Sequence, residues 1–167
     1  MSVHVSSLPS VTPLEHFNLW ADTYDNTAKK NNWHSPEILF GAQKPFLNPT
    51  DKILDLGCGT GLVSKLYKDT GISVWGLDGS KSMLEICARK KLNKDLQILD
   101  LSRKNIKLPY KNKFFQQTIS SGSIYFIESL EPVIKEVARV MSPGGSFVFD
   151  IQETYMQPVI YKRFFSR

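Results

Sequence analysis

The chain has 167 residues, 41% of them hydrophobic and 22% charged, which excludes a disordered or collagen-like polypeptide and suits one globular domain with its own core. Its net charge of +5 is uneven. Lys81, Arg89, Lys90, Lys91, Lys94, Arg103, Lys104, Lys107, Lys111 and Lys113 face only Glu85, Asp95 and Asp100 over the same span, which reads first as a solvated surface and second as a patch for an acidic partner.

Residues 1–13 are polar and interrupted by Pro9 and Pro13, so they read as a flexible N-terminal arm. They lack the apolar run that a signal peptide or membrane span requires. Of the two cysteines, Cys58 lies in a glycine-rich stretch and Cys87 in a helical pattern, which excludes a disulfide framework and C-x-x-C metal spacing. A reducing, cytoplasmic setting without membrane or metal is the expectation.

In residues 14–28 the apolar positions Leu14, Phe17, Trp20, Ala21 and Tyr24 have amphipathic-helix spacing. A second helix is predicted from Ser35 as N-cap, with Pro36 at the first helical position and Glu37 in the first turn, so leading helices occupy 14–47. After Asn48-Pro49 short apolar runs predict strands at 52–56, 72–78, 96–101, 114–120 and 145–151. Helical patterns separate them at 62–67, at 80–90 with Ser80 as cap, and at 130–141, stopped by Ser142-Pro143-Gly144-Gly145. The connection 102–113 is weakly helical, because Pro109 breaks it. This alternation predicts an α/β domain over 14–167 with a doubly wound, mostly parallel sheet and right-handed crossovers.

The first strand runs into "ILDLGCGTG", residues 53–61. In an open parallel sheet ligands bind beyond the strand ends where strand order reverses, and strand one borders that point. Glycines there tolerate positive φ and let the backbone approach a ligand; the plain alternative is a tight strand-to-helix turn. Gly57, Gly59 and Gly61 read G-x-G-x-G after Asp55, which is neither the dinucleotide fingerprint G-x-G-x-x-G nor a phosphate loop. A nicotinamide-dependent oxidoreductase is therefore disfavoured.

With "LDLGCGTG", "GLDGSKSMLEICARK", "LDL", "LPYKNKFFQQTISSGSIYFI" and "VARVMSPGGSFVF" in that order, the chain resembles the class I Rossmann-like S-adenosylmethionine-dependent methyltransferases. The leading helix, with Trp20, Ala21, Tyr24 and Asp25, is most similar to that of small-molecule members. The resemblance implies S-adenosylmethionine as cofactor and S-adenosylhomocysteine as product. It implies that Asp55, Gly57, Cys58, Gly59 and Gly61 serve the methionine end and that Asp78, beside Gly79, takes the ribose hydroxyls. A helix cap is the alternative for Asp78. Asp100 is expected at the adenine amino group or as a turn cap, with Met83 and Leu101 flanking the ring or serving as core.

Methyl transfer from a sulfonium is an in-line displacement in which the protein chiefly positions the acceptor. Tyr24, Ser123 and Tyr125 are the candidate catalytic residues; Ser121 is a cofactor contact that also borders the acceptor side. His4, His16 and His34 show no sequence spacing to a nucleophile or metal ligand; His34 reads as a surface-loop histidine, with a base beside the site as the alternative. The segment Ser120-Ser121-Gly122-Ser123 lacks the N/D-P-P-aromatic element of base-amino methylases, which weighs against DNA adenine methylation. Gln116 stands where members carry an acidic residue. Seven-stranded members continue beyond strand five, so here the last two strands are expected to be missing and strand five to be an exposed edge, open to self-association. The leading expectation is methyl transfer to a small molecule. A non-catalytic cofactor-binding module or fragment of a longer enzyme, and an RNA methyltransferase, are the alternatives.

Overall fold

The glycine-poor apolar runs of the chain become the middle of a parallel sheet in the computed structural model, which describes residues 12–151. The elements in order are α1 (Pro13–Lys30), α2 (Ser35–Gln43), a 3-10 turn (Lys44–Phe46), β1 (Lys52–Leu56), α3 (Leu62–Leu66), β2 (Ser73–Asp78), α4 (Lys81–Lys90), β3 (Asp95–Ile98), β4 (Phe115–Ser120), a 3-10 turn (Ile124–Phe126), α5 (Glu131–Val140) and β5 (Met141–Phe149). Among the described residues the strands lie in the order β3-β2-β1-β4-β5, all pairs parallel. Strand order reverses between β1 and β4, the geometry expected of a doubly wound sheet.

Both faces of the sheet are covered, which is why its central strands are apolar runs rather than alternating ones. On one face Ile53, Val74 and Ile119 pack with Leu39 of α2 and with Val63 and Tyr67 at α3. On the other, Leu54, Leu56, Leu77 and Phe115 pack with Val133, Val137 and Val140 of α5. Asp55 shares the parity of Ile53 and so points beneath α3, where Ser64 meets it.

Several boundaries differ from the sequence expectation for identifiable reasons. Helix α1 begins at Pro13, not Leu14, because Thr12 forms a capping box with Glu15. Ser35 is not an N-cap but the first residue of α2, after His34. Its hydroxyl is used elsewhere, on Asp150. β3 stops at Ile98 rather than 101, and Asp100 accepts hydrogen bonds from the Ser102 amide and hydroxyl to turn the chain. β5 starts at Met141, earlier than 145, with a register shift opposite Phe115 and Gln117 that accommodates Pro143, Gly144 and Gly145. The expected strand at 145–151 thus ends at Phe149, and residues 1–11 and 152–167, including most of the N-terminal arm, lie outside the described residues.

The connection from β3 to β4 contains no helix among the described residues, and α5 holds it instead. Arg139 donates to the carbonyls of Leu108 and Tyr110 and to Asn112 Oδ1, each at 2.9 Å. Glu136 orients the guanidinium with contacts of 2.7 and 2.6 Å and accepts the Leu108 amide at 2.7 Å. Arg139→Ala is expected to cost about 1.5–3 kcal/mol in urea denaturation and to speed amide exchange across 108–112, since charge-assisted bonds to several acceptors are lost together.

Candidate functional site

A cleft of about 1110 Å³ opens at the carboxyl ends of β1, β2 and β4, under α1. The loop leaving β1 forms its floor, and Gly57, Gly59 and Gly61 all have positive φ, at 75°, 52° and 88°. A Cβ at Gly57 would lie 1.9 Å from Ser123 Oγ, and one at Gly61 would lie 2.8 Å from Cys87 Sγ. A Cβ at Gly59 would meet nothing within 4 Å, so this backbone faces open space. The first and third glycines therefore permit packing, while the second leaves backbone accessible to a ligand.

Three carboxylates surround that loop. Asp55 is fully buried, and its Oδ2 accepts Ser64 Oγ at 2.7 Å while Oδ1 has no partner. Burial, outweighing that hydrogen bond, pushes its pKa up to about 7. An unpaired carboxylate oxygen under a glycine loop fits an ammonium-bearing ligand.

Asp78 Oδ2 accepts the Gly59 amide at 2.8 Å and Oδ1 accepts the Ser80 amide at 2.7 Å. It ties the glycine loop to the start of α4. The N-cap of α4 is Ser80, whose hydroxyl accepts the Met83 amide, so Asp78 is not the helix cap. Burial raises its pKa, with the Ser80, Gly59 and Gly79 amides opposing. Each carboxylate oxygen can accept a further bond. Gly79 lets the end of β2 approach its surroundings: a Cβ there would lie 3.0 Å from Leu14 and 3.4 Å from the Asp100 backbone. Asp100 caps its turn and also lines the cleft, as do the buried Met83 and Leu101.

Helix α1 closes the cleft from above. Asp25 accepts from Thr60 Oγ1 and from Lys90 Nζ, each at 2.5 Å, while Asn18 Oδ1 accepts Ser80 Oγ at 2.7 Å. Tyr24 lies between Trp20 and Trp33, with ring centroids 4.9 and 6.2 Å away. Burial first, then Tyr125, Asp78, Asp25 and Asp150, hold its hydroxyl well above the usual tyrosine range. Tyr125 is pushed up to about 12 by burial and then by Asp150. Both tyrosines are neutral phenols at physiological pH.

The cleft gathers Tyr24, Gly57, Cys58, Gly59, Asp78, Gly79, Met83, Asp100, Leu101, Ser121 and Ser123 of the expected site. Asp55, Gly61 and Tyr125 stand behind its wall. Cys58 is buried, and the Cys87 thiol beside it and burial keep its own thiol protonated. The sequence reading did not single out Phe17, Asn18, Thr60, Trp33 or Asp150. Asp150 had a legible signal, since the Asp of "FVFD" directly follows β5 and the Asp of "WGLD" ends β2. The basic residues of the lysine-rich span are exposed except Lys90, and Arg103 and Lys104 reach the cleft rim. No group of metal-ligating side chains and no helix long and apolar enough to cross a membrane occurs among the described residues.

This geometry has recognisable relatives. Residues 54–149, more than half of the chain, match the family model described as a methyltransferase domain. The malonyl-[acyl-carrier protein] O-methyltransferase of Buchnera aphidicola is 33% identical over 81% of this chain and 52% of the relative. The demethylmenaquinone methyltransferase of Symbiobacterium thermophilum is 31% identical over 80% of this chain and 56% of the relative. The solved S-adenosylmethionine-dependent methyltransferase of Mesorhizobium loti superposes with a TM-score of 0.57 at 28% identity, covering 68% of this chain and 53% of that one. The chain spans about half the length of the curated relatives it matches. With a parallel sheet reversing between β1 and β4 and a glycine loop at that reversal, it belongs to the Rossmann-like S-adenosylmethionine-dependent methyltransferase family.

Proposed function

We propose that this chain binds S-adenosylmethionine in the cleft and directs its methyl group to a small-molecule acceptor. The observation that carries the reading is one continuous cleft in which the glycine loop, Asp78 and the Asp100-Leu101 turn meet Tyr24 of α1 and Ser121 and Ser123 after β4. In this assignment the backbone of Gly57–Gly61, over Asp55, holds the methionine end. Asp78 takes the ribose diol, Gly79 gives it room, and Met83 and Leu101 flank the adenine near Asp100.

Bound cofactor supplies a methyl carbon on a positively charged sulfur, ready for in-line displacement. The protein's share is to hold the acceptor in line, and such positioning supplies roughly 7–11 kcal/mol of a barrier. Tyr24 and Ser123, which line the cleft, serve that role as neutral hydroxyls, with Tyr125 behind them as the third candidate. Thr60 and Lys90, through Asp25, keep α1 closed over the reacting end. The two free thiols fit a reducing, cytoplasmic setting.

A second reading, cofactor binding without turnover by this stretch alone, is supported by the half-length match to the relatives. Arg103 and Lys104 at the rim favour an anionic or RNA acceptor only if binding of tRNA shows a steep salt dependence. The outer edge of β5, which pairs with no further strand among the described residues, is a surface for a second copy.

Calorimetry with S-adenosylhomocysteine is expected to give saturable heat where NADH gives none; heat from NADH alone would overturn the reading. Asp78→Ala is expected to weaken S-adenosylhomocysteine binding at least tenfold, about 1.4 kcal/mol, and unchanged affinity would remove the ribose assignment. Radiolabelled methyl transfer into fractionated metabolites separates turnover from binding alone.

Asp55 generates a pH dependence. Its raised pKa means that between the ordinary carboxylate range and about pH 7 the free folded chain holds a proton that the unfolded chain has lost, so this group's contribution to stability is full below that window, declines across it and is gone above about pH 7. A ligand ammonium favours the charged form instead. Affinity for S-adenosylhomocysteine is therefore expected to fall from pH 8 to pH 6 with proton release near pH 7, and Asp55→Asn to flatten the profile.

A further inference from the structure

Beside Tyr24 the wall of the cleft is made by Ser121, and a chain of side chains stands behind it. Ser35 Oγ is 2.7 Å from Ser121 Oγ. Ser35 Oγ also donates to Asp150 Oδ2, and the Gly122 amide donates to both carboxylate oxygens at 2.8 and 3.1 Å. Ser121 lines the cleft, whereas Ser35 and Asp150 are not part of its wall.

Proton counting gives this chain a direction. A serine hydroxyl has one proton, and Ser35 spends its proton on Asp150. In the Ser35–Ser121 contact the donor must then be Ser121. With its proton committed inward, Ser121 Oγ can offer the cleft only lone pairs, backed by a carboxylate two bonds away in the chain.

The neighbouring walls are flat and apolar. Gly122, at φ 68°, leaves room for the Trp33 ring, whose atoms would lie 2.7 and 2.9 Å from a Cβ there. Trp33 meets Tyr24 edge to face at 77°. Asp78 and Asp150 both act on the Tyr24 hydroxyl, as does Asp25, whose charge Lys90 offsets.

We infer that the Ser121–Ser35–Asp150 chain makes this wall a hydrogen-bond acceptor that selects and orients a methyl acceptor carrying a hydroxyl on a planar ring, and rejects a carboxylate at the same place. This rests on the proposed function and deepens it by naming the acceptor class. A phenolic or enolic O–H points its hydrogen at Ser121 Oγ and its ring at Trp33 and Tyr24. At Ser121 a carboxylate would set its oxygens against lone pairs backed by Asp150, where a hydroxyl sets a hydrogen. Ser121 is the contact residue; Ser35 and Asp150 are positioning residues that act by fixing which way its proton points.

The test uses the full chain saturated with S-adenosylhomocysteine and two probes of equal ring size, phenol and benzoate, titrated by ligand-observed NMR. Phenol is expected to bind at least fivefold tighter than benzoate. Ser35→Ala releases the Ser121 proton toward the cleft, and the ratio is expected to fall to one or to invert, while Ser35→Thr, which keeps a hydroxyl, restores it. A merely structural role for Ser35 would weaken both probes together and leave the ratio unchanged. Equal binding of the probes, tighter binding of benzoate, binding of neither, or an unchanged ratio in Ser35→Ala would overturn the inference. Failure of S-adenosylhomocysteine itself to bind would overturn the proposed function instead.

Discussion

The turn after β1 has no room for side chains at two of its glycines, and the rest of the site depends on that. Gly57 sits against Ser123 from the β4 side and Gly61 against Cys87 from α4, so the loop is wedged between two neighbours at contact distance. On the strand behind it, Gly76 gives the same room to Cys58. Because the loop can be this deep, Gly59 is left with open space above it and the Asp78 carboxylate beside its amide. Filling Gly57, Gly61 or Gly76 with a methyl group would push against Ser123, Cys87 or Cys58 and disturb the strand ends that frame the cleft.

A second constraint is the burden of carboxylates near the strand ends. Asp55, Asp78, Asp100 and Asp150 lie at or just beyond the ends of β1, β2, β3 and β5. Each takes its hydrogen bonds from amides or hydroxyls rather than from an ion pair: Ser64 for Asp55, Gly59 and Ser80 for Asp78, Ser102 for Asp100, Ser35 and Gly122 for Asp150. Amides and hydroxyls leave these carboxylates without a neutralising cation, and burial holds Asp55 and Asp78 above the usual carboxylate range, so a cationic ligand would favour their charged forms. The ion pair of Asp25 with Lys90 ties α1 to α4.

Much of the fold was legible because apolar runs and caps are local. The strands after Asn48-Pro49, the Ser80 cap and the glycine loop all emerged where residue patterns place them. The errors share a physical origin. Ser35 has the right chemistry for an N-cap, yet a carboxylate 115 residues away captures its hydroxyl. β3 ends early because Asp100 turns the chain onto Ser102, and the β5 boundary moved because a bulge absorbs Pro143 and two glycines that read as a stop.

The sequence by itself determined the parallel α/β architecture and the glycine loop, which follow from periodicity, residue size and φ preference within a few positions, and the order of its motifs carried the resemblance to the family. Only the tertiary structure decided which side chains share the cleft wall. Trp33, Ser35, Ser121 and Asp150 come from three separate segments, and the direction in which Ser121 points its proton is set by partners that no local pattern places beside it. A long-range hydrogen bond depends on how strands order themselves in the sheet, and that order is a property of packing rather than of any one stretch of chain.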